Sequence, residues 1–387
     1  MSKPEICFVA QNTYPLLAGE ATGENMGGAQ LQQVMLGREL ARRGYSVSYM
    51  TMDYGQGPEV EIGPFRVNST FRPDEGLPGL RFFYPRLFKL LREMHRSTAD
   101  IFYFRCADHV LAPVVWAAHR RGRKVIFCAA NDPDFDPTRL KLARRHKAMF
   151  FWGLRRSDAV VVQNSEQARL LDANFGRKAH LIHNGYQSNG SIDQDKRHIL
   201  WVARQKPFKR PELFVELAGK LPEHRFVMIG GPLDADREFY ASVQRKAAAV
   251  SNLELRGAME FCRVEKQFDR ARVLVNTSLH EGFPNTFLQA WSRGIPVFSF
   301  VDPDGLISRL RLGYVAADID DMTQALRKHI AGELVFSAEE IENAFDEHFT
   351  IEAAVDRYET LFERLLETQQ IKTETEIASR AKTTSPE

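Results

Sequence analysis

The sequence predicts an α/β protein built from two doubly wound domains, each a parallel sheet covered by helices on both faces, with a cleft between them. Three observations carry this expectation. Short, nearly continuous apolar runs alternate with amphipathic segments almost from end to end, the pattern of strands buried on both faces. The alternation falls into two series, over residues 1–187 and 188–348, parted by the polar stretch QSNGSIDQDK (187–196), a natural linker. The 387 residues, 44% hydrophobic and 26% charged, suit large ordinary cores and exclude fibrous, collagen-like and wholly disordered chains.

The strand candidates of the first series are ICFVA (6–10), SVSYMT (46–51), ADIFYFRC (99–106), KVIFCAA (124–130), DAVVVQN (158–164) and AHLIHNG (179–185). A helix is expected over residues 29–44, where Leu31, Val34, Met35 and Leu40 form one stripe and Gly44 is a stop. The second series reads HILWVAR (198–204), RFVMIGG (225–231), LELRGA (253–258), RVLVNTS (272–278), PVFSF (296–300) and YVAAD (314–318). Residues 349–367 read as a C-terminal helix and 368–387 as a disordered tail, polar and without aromatics. In folds of this class ligands bind beyond the carboxyl ends of the strands, so the cleft is the expected site.

Charge separates the halves. Residues 1–187 carry 26 Lys+Arg against 18 Asp+Glu, a surplus of 8, whereas residues 188–387 carry 26 against 32, a deficit of 6. A basic half suggests a negatively charged partner. The four cysteines, Cys7, Cys106, Cys128 and Cys262, have no CxxC spacing and read as free thiols of a reducing compartment. No apolar run is long enough for a membrane helix, so a cytoplasmic chain is expected.

Three motifs point to phosphate chemistry. In HEGFPNTFLQAWSRGIPVF (280–298) a strand ends in a loop holding Glu281, Gly282 and Phe283, after which Asn285 is placed to cap a helix. A helix start suits an anion such as a diphosphate. In ILWVARQKPFKRPELFVELA (199–218) Arg204 ends a strand and Lys209 precedes a helix opened by Pro211, which makes a cationic clamp; the alternative is a charged loop facing solvent. In GENMGGAQLQQVMLGRELARRG (23–44) Gly27 and Gly28 allow close approach of a ligand to the backbone. GxGxxG is absent after the first strand, which argues against a nicotinamide enzyme.

With these residues the chain resembles the retaining, nucleotide-sugar-dependent glycosyltransferases of the GT-B fold, specifically glycosyltransferase family 4, over about residues 5–365. The resemblance implies two Rossmann-like domains, the first on the acceptor side and the second on the donor side, and a C-terminal helix that packs back on the first. It implies that Arg204 and Lys209 bind the donor diphosphate, and that Glu281 with the backbone of Gly282, Phe283 and Asn285 holds the donor sugar, Glu281 being the catalytic candidate. No cofactor or metal is expected, the nucleotide-diphosphate sugar being a substrate and the DPD triplets at 132–134 and 302–304 loop residues. The implied reaction is metal-independent transfer of a hexosyl-type sugar to an acceptor hydroxyl, in assembly of a surface polysaccharide or glycolipid. A sugar-nucleotide epimerase, or a binding protein with attenuated catalysis, stays open as an alternative.

Two departures bear on the site. Where the family usually has a second glutamate that accepts from the ribose hydroxyls, this chain has Gln289. A neutral amide accepts more weakly than a carboxylate, so Gln289→Glu is expected to tighten donor binding. Where many relatives carry a histidine on the acceptor side, this chain has Ala130, Asn131 and Asp132, and no general base can be named. Asn131 and Asp132 are therefore acceptor-side candidates, and His109 is expected to line that side with Arg105. Finally, RFFYPRLFKLLREMHR (81–96) and TRLKLARRHKAMFFWGLRR (138–156) mix cations with aromatics. Such helices can lie on anionic lipid, or pack an apolar face on the sheet and leave the cations solvated. The expected partners are thus a nucleotide sugar, a glycan or lipid-linked acceptor and an anionic membrane surface at its inner face, with no nucleic acid.

Overall fold

The computed structural model describes residues 3–20, 27–76, 82–187 and 196–383; most of the expected linker and Arg81 lie outside them. The first sheet comprises β1 (Glu5–Val9), β2 (Ser46–Thr51), β3 (Glu59–Ile62), β4 (Phe65–Ser69), β5 (Ile101–Arg105), β6 (Lys124–Cys128), β7 (Ala159–Val162) and β8 (His180–Leu181), in the order β3-β4-β2-β1-β5-β6-β7-β8. Neighbours pair in parallel except the antiparallel pair β3–β4. The second sheet comprises β9 (His198–Val202), β10 (Phe226–Ile229), β11 (Leu253–Leu255), β12 (Ala271–Asn276), β13 (Val297–Ser299) and β14 (Gly313–Val315), in the order β11-β10-β9-β12-β13-β14, all parallel.

Both faces of each sheet are buried, which is why the strands read as unbroken apolar runs. In β1, Ile6 and Phe8 belong to one core while Cys7 and Val9 belong to the other. In β9, Leu200 points to one face and Ile199 and Trp201 to the opposite one. Every strand expected from the sequence is present within a few residues. The hairpin β3–β4 was not expected: its residues alternate in burial instead of forming an apolar run.

The helix Gly28–Arg42 buries Leu31, Val34, Leu36 and Leu40. Met35, placed on that stripe by the sequence, instead packs against the second domain's core, so this helix serves both domains. The C-terminal helix Ile351–Thr383 returns to the first domain, where Ala354, Val355, Tyr358, Leu361 and Phe362 join the core of β1, β2 and β5. Arg43 holds it there through Asp356 and Glu359, each at 2.5 Å. Residues 368–383, expected to be a tail, continue this helix as backbone. Half of the stretch is Glu, Gln, Lys and Ala, which favour helix, and neither proline nor glycine interrupts it before Pro386. All four cysteines are free; Cys7 and Cys128 are buried, whereas Cys262 is exposed.

Candidate active site

In both sheets the strand order reverses beside the first strand of the domain, between β5 and β1 and between β9 and β12. Crevices at such reversals are where doubly wound folds take ligands. A cavity of about 440 Å³ opens there, lined from one side by Gly27, Gly28 and Arg105 and from the other by Arg204, Glu281 and Gln289.

Positive charge gathers beyond β9. Arg204, Lys206 and Lys209 all line the cavity. Burial lowers the pKa of Arg204 from its usual value, and burial together with Arg204 does the same for Lys206. These cations have already lost much of their water, so an anion arriving here meets a smaller desolvation cost. Lys206 was not singled out from the sequence, although RQKPFK places it between the two residues that were. On the facing side a Cβ built on Gly27 would come within 2.4 Å of Gln30 Oε1 and 3.4 Å of Arg204 Nη2. The Gly-Gly loop therefore brings bare backbone up to the guanidinium.

Glu281 is more enclosed than its place in a loop suggested. Its oxygens accept from Lys209 Nζ at 2.6 and 2.7 Å, from Ser278 Oγ at 2.6 Å and from Asn276 Nδ2 at 3.0 Å. Burial alone would push its pKa up, but the Lys209 charge and these donors hold it below the ordinary glutamate value. It is a carboxylate at neutral pH, suited to accept hydrogen bonds or to stabilise positive charge, not to donate a proton.

The loop after β12 is gripped by the first domain. Asn164 Nδ2 donates to Gly282 O at 2.8 Å, and Asn184 Nδ2 to Phe283 O at 2.9 Å and Asn285 Oδ1 at 3.1 Å. A Cβ on Gly282 would lie 2.7 Å from Ala130 O, so a residue without a side chain is needed there. The phenyl ring of Phe283 is buried, stacked on His183 at 4.7 Å. Asn285 is not the cap expected of it: Pro284 occupies the N-cap position of the helix Asn285–Trp291. The Asn285 amide instead donates to Gly28 O at 2.9 Å and ties the two glycine loops together.

Two family models match the chain: glycosyltransferase family 4 over residues 26–189 and glycosyl transferases group 1 over residues 196–331. The chain is a GT-B glycosyltransferase of the family 4 kind. Among solved structures it is similar to sucrose-phosphate synthase from Thermosynechococcus elongatus, with 16% identity, coverage of 95% of this chain and 100% of that one, and a TM-score of 0.74. HepE from Anabaena, solved with UDP and glucose, has 14% identity, 94% and 100% coverage and a TM-score of 0.69. WaaG, a glycosyltransferase involved in lipopolysaccharide biosynthesis, has 16% identity, 91% and 98% coverage and a TM-score of 0.65. At these identities the likeness is one of fold. Among curated protein sequences none matches the chain.

In this glycosyltransferase the four acceptor-side candidates fall in different places. Arg105 and Asn131 line the main cavity, Arg105 donating to Asn184 Oδ1 at 2.9 Å with its Nε buried and unpartnered. Asp132 is spent on structure, accepting from Asn164 and Gln167 at 3.1 Å, and burial raises its pKa. His109 does not join Arg105. It stacks on His146 at a ring separation of 4.1 Å and lines a second cavity of about 280 Å³ with Gln11, Phe71 and Arg86. Arg105 and Cys106 line the first cavity and Asp108 and His109 the second, so the chain leaving β5 passes from the wall of one to the wall of the other. The DPD triplets, expected as loop residues, fall in short 3-10 turns, Asp132–Phe135 and Pro303–Gly305: Asp134 caps its own turn, accepting from Asn131 N at 3.2 Å and from Ala130 N at 2.8 Å, and Asp304 accepts from Ser165 Oγ at 2.6 Å and meets His183 at 3.3 Å.

Proposed function

We propose that this glycosyltransferase moves a hexosyl group from a nucleotide-diphosphate sugar to an acceptor hydroxyl with retention of anomeric configuration and without a metal ion, in assembly of a surface polysaccharide or glycolipid. The observation that carries the reading is the cluster of three cations beyond β9 facing Glu281 in one cavity. Arg204, Lys206 and Lys209 take the diphosphate, supplying the positive charge a developing nucleoside diphosphate needs as it leaves. Glu281, ionised and fixed by its donors, holds the sugar beside them.

Among the described residues that line the cavity we assign no general base, and the leaving diphosphate takes the proton. The bond from the anomeric carbon to the phosphate oxygen breaks, the acceptor oxygen bonds that carbon from the same face, and the acceptor proton passes to the departing phosphate oxygen. The protein positions the reactants and answers charge. The neighbours support the choice of donor and setting: HepE was solved with UDP-glucose, and WaaG acts in lipopolysaccharide biosynthesis. The acceptor enters past Arg105 from the second cavity, whose apolar wall of Phe71, Leu87 and Leu90 suits a glycan carried on lipid.

Arg204→Ala tests the clamp. It removes a charge-assisted contact of about 1.5–3 kcal/mol, so affinity for a nucleoside diphosphate measured by calorimetry should fall about tenfold or more. Unchanged affinity would overturn the donor assignment.

A further inference from the structure

Gln289 sits where the family resemblance leads one to expect a carboxylate, and its surroundings contain one. Its side chain is 4% exposed and lines the main cavity, and its Nε2 donates to Glu265 Oε1. Glu265 belongs to the neighbouring helix Phe261–Asp269. Its other oxygen accepts from the Tyr186 hydroxyl and from Arg293 Nη2 at 2.8 Å. Arg293, 2% exposed, also donates to Asp269 Oδ1 at 2.7 Å and to the Gln289 backbone oxygen at 3.0 Å. The carboxylate is thus held between one cation, one hydroxyl and one amide.

An ionised carboxylate has no hydrogen to give, so the end of the Gln289 amide that faces it must be the NH₂ group. The carbonyl oxygen then points away from Glu265. We propose that Glu265 is a positioning residue for donor recognition: it locks the Gln289 amide so that the carbonyl oxygen accepts a hydrogen bond from a ribose hydroxyl of the nucleotide. The inference rests on the reading of the cleft as a nucleotide-sugar site. The negative charge missing at position 289 is held behind it by Glu265 on the neighbouring helix, where it pairs with Arg293.

This arrangement reverses the expectation for Gln289→Glu. A carboxylate there would face Glu265 at hydrogen-bond distance, and two such groups cannot both stay ionised without turning apart or taking up a proton. Glu265→Gln acts by another route. Its new carbonyl must face Arg293 and Tyr186, both donors, so its NH₂ faces Gln289 and forces that amide to turn its own NH₂ to the cleft. In the exchange Q289E/E265Q the donors and acceptors match again, and a carboxylate oxygen faces the nucleotide.

The test is the ratio of affinities for a ribonucleoside diphosphate and its 2′,3′-dideoxy counterpart, measured by calorimetry with whichever of UDP, ADP and GDP the wild-type protein binds best. One neutral hydrogen bond should make the wild-type ratio about two- to tenfold. The ratio should fall in Glu265→Gln, where the ribose hydroxyl keeps only a donor NH₂ and loses the acceptor for its own hydrogen, should fall towards one in Gln289→Glu, and should return to the wild-type value or above in the exchange. Gln289→Met leaves Glu265 with Arg293 and Tyr186 and should also lose the ratio, and should Glu265→Gln fail to fold, the exchange compared with Gln289→Glu keeps Glu265 itself under test. A wild-type ratio retained in Glu265→Gln, or raised in Gln289→Glu, would overturn the inference. A wild-type ratio of one would overturn it while leaving the donor reading intact. Failure of all three diphosphates to bind would remove both.

Discussion

A carboxylate as enclosed as that of Glu281 is stable only while its charge is answered, and Lys209 answers it from 2.6 Å. The family resemblance assigns the two residues to different parts of the donor, but here they also bond to each other. Replacing one therefore disturbs more than a ligand contact. Because Glu281 titrates below its unfolded value, its contribution to stability is present above the unfolded pKa of about 4.3 and fades as pH falls through the folded value. In Lys209→Met the carboxylate stays buried without its cation, its pKa moves above the unfolded value, and neutral pH becomes the unfavourable side. Loss of one partner of a buried pair costs about 3–5 kcal/mol. Urea unfolding should show that loss at pH 7 and a much smaller one near pH 4, whereas equal losses would mean that Glu281 is not the group left exposed to the change. The sequence brought Arg204, Lys209 and Glu281 to one place through their positions after strands. It could not show which would pair, because that depends on how the loops after β9 and β12 meet.

Among elements, the loop after β12 is the one whose shape is decided by its neighbours. Its carbonyls are taken by Asn164 and Asn184, and the space beside Gly282 is filled by Ala130 O and by Gln167, which is fully buried. Gly282→Ala should force the loop from the first domain and cost about 1–3 kcal/mol, the scale of overpacking, together with most of the transfer activity. A melting temperature and turnover equal to wild type would show that the loop already stands clear of the first domain in solution. The elements differ in how far they could be read beforehand. Strands such as β7, where Ala159, Val160, Val161 and Val162 are all buried, announce themselves because both faces need apolar residues. The hairpin β3–β4 does not, since Val60 and Val67 alternate with Glu61 and Arg66 at a partly solvated edge, and only period-two alternation around Gly63-Pro64 marks it. Asn285 looked like a cap because its type and position fit one. Pro284 before it takes that place, and the amide is free to reach Gly28.

At the scale of the whole molecule, the helix Gly28–Arg42 packs on the cores of both domains and the helix Ile351–Thr383 on that of the first, and part of the first half's basic surplus lies around the helix Phe88–Arg96. In the helix Phe88–Arg96, Leu90 and Met94 are buried while Phe88 is 60% exposed, and Arg92 and Arg96, which share the Glu93 carboxylate at 3.1 and 3.3 Å, follow it at successive four-residue steps with side chains still 49% and 62% exposed. Nearby, Trp116 is 44% exposed beneath the Arg120 guanidinium at 4.6 Å, and Arg121 meets His95 at 2.9 Å. Among the described residues no helix is long and apolar enough to cross a membrane, but an aromatic and cationic face of this kind fits the surface of an anionic bilayer. Arg86 and Lys89, expected from the sequence to serve it, are engaged within the fold, Arg86 with Glu75 O and Pro73 O and Lys89 with the Glu75 carboxylate. Arg92, Arg96, Arg120 and Arg121 are exposed whereas Arg86 and Lys89 are half-buried, so the substitutions that matter are these four to Gln together. At about 1 kcal/mol for each cation near the surface, the four should weaken partition onto phosphatidylglycerol-containing vesicles by about a thousandfold in low salt, and added salt should release the wild-type protein as well. Binding to phosphatidylcholine alone should be weak in both. Equal sedimentation with neutral and anionic vesicles, or none with either, would make this face an ordinary solvated surface and leave the acceptor to reach the cleft from solution.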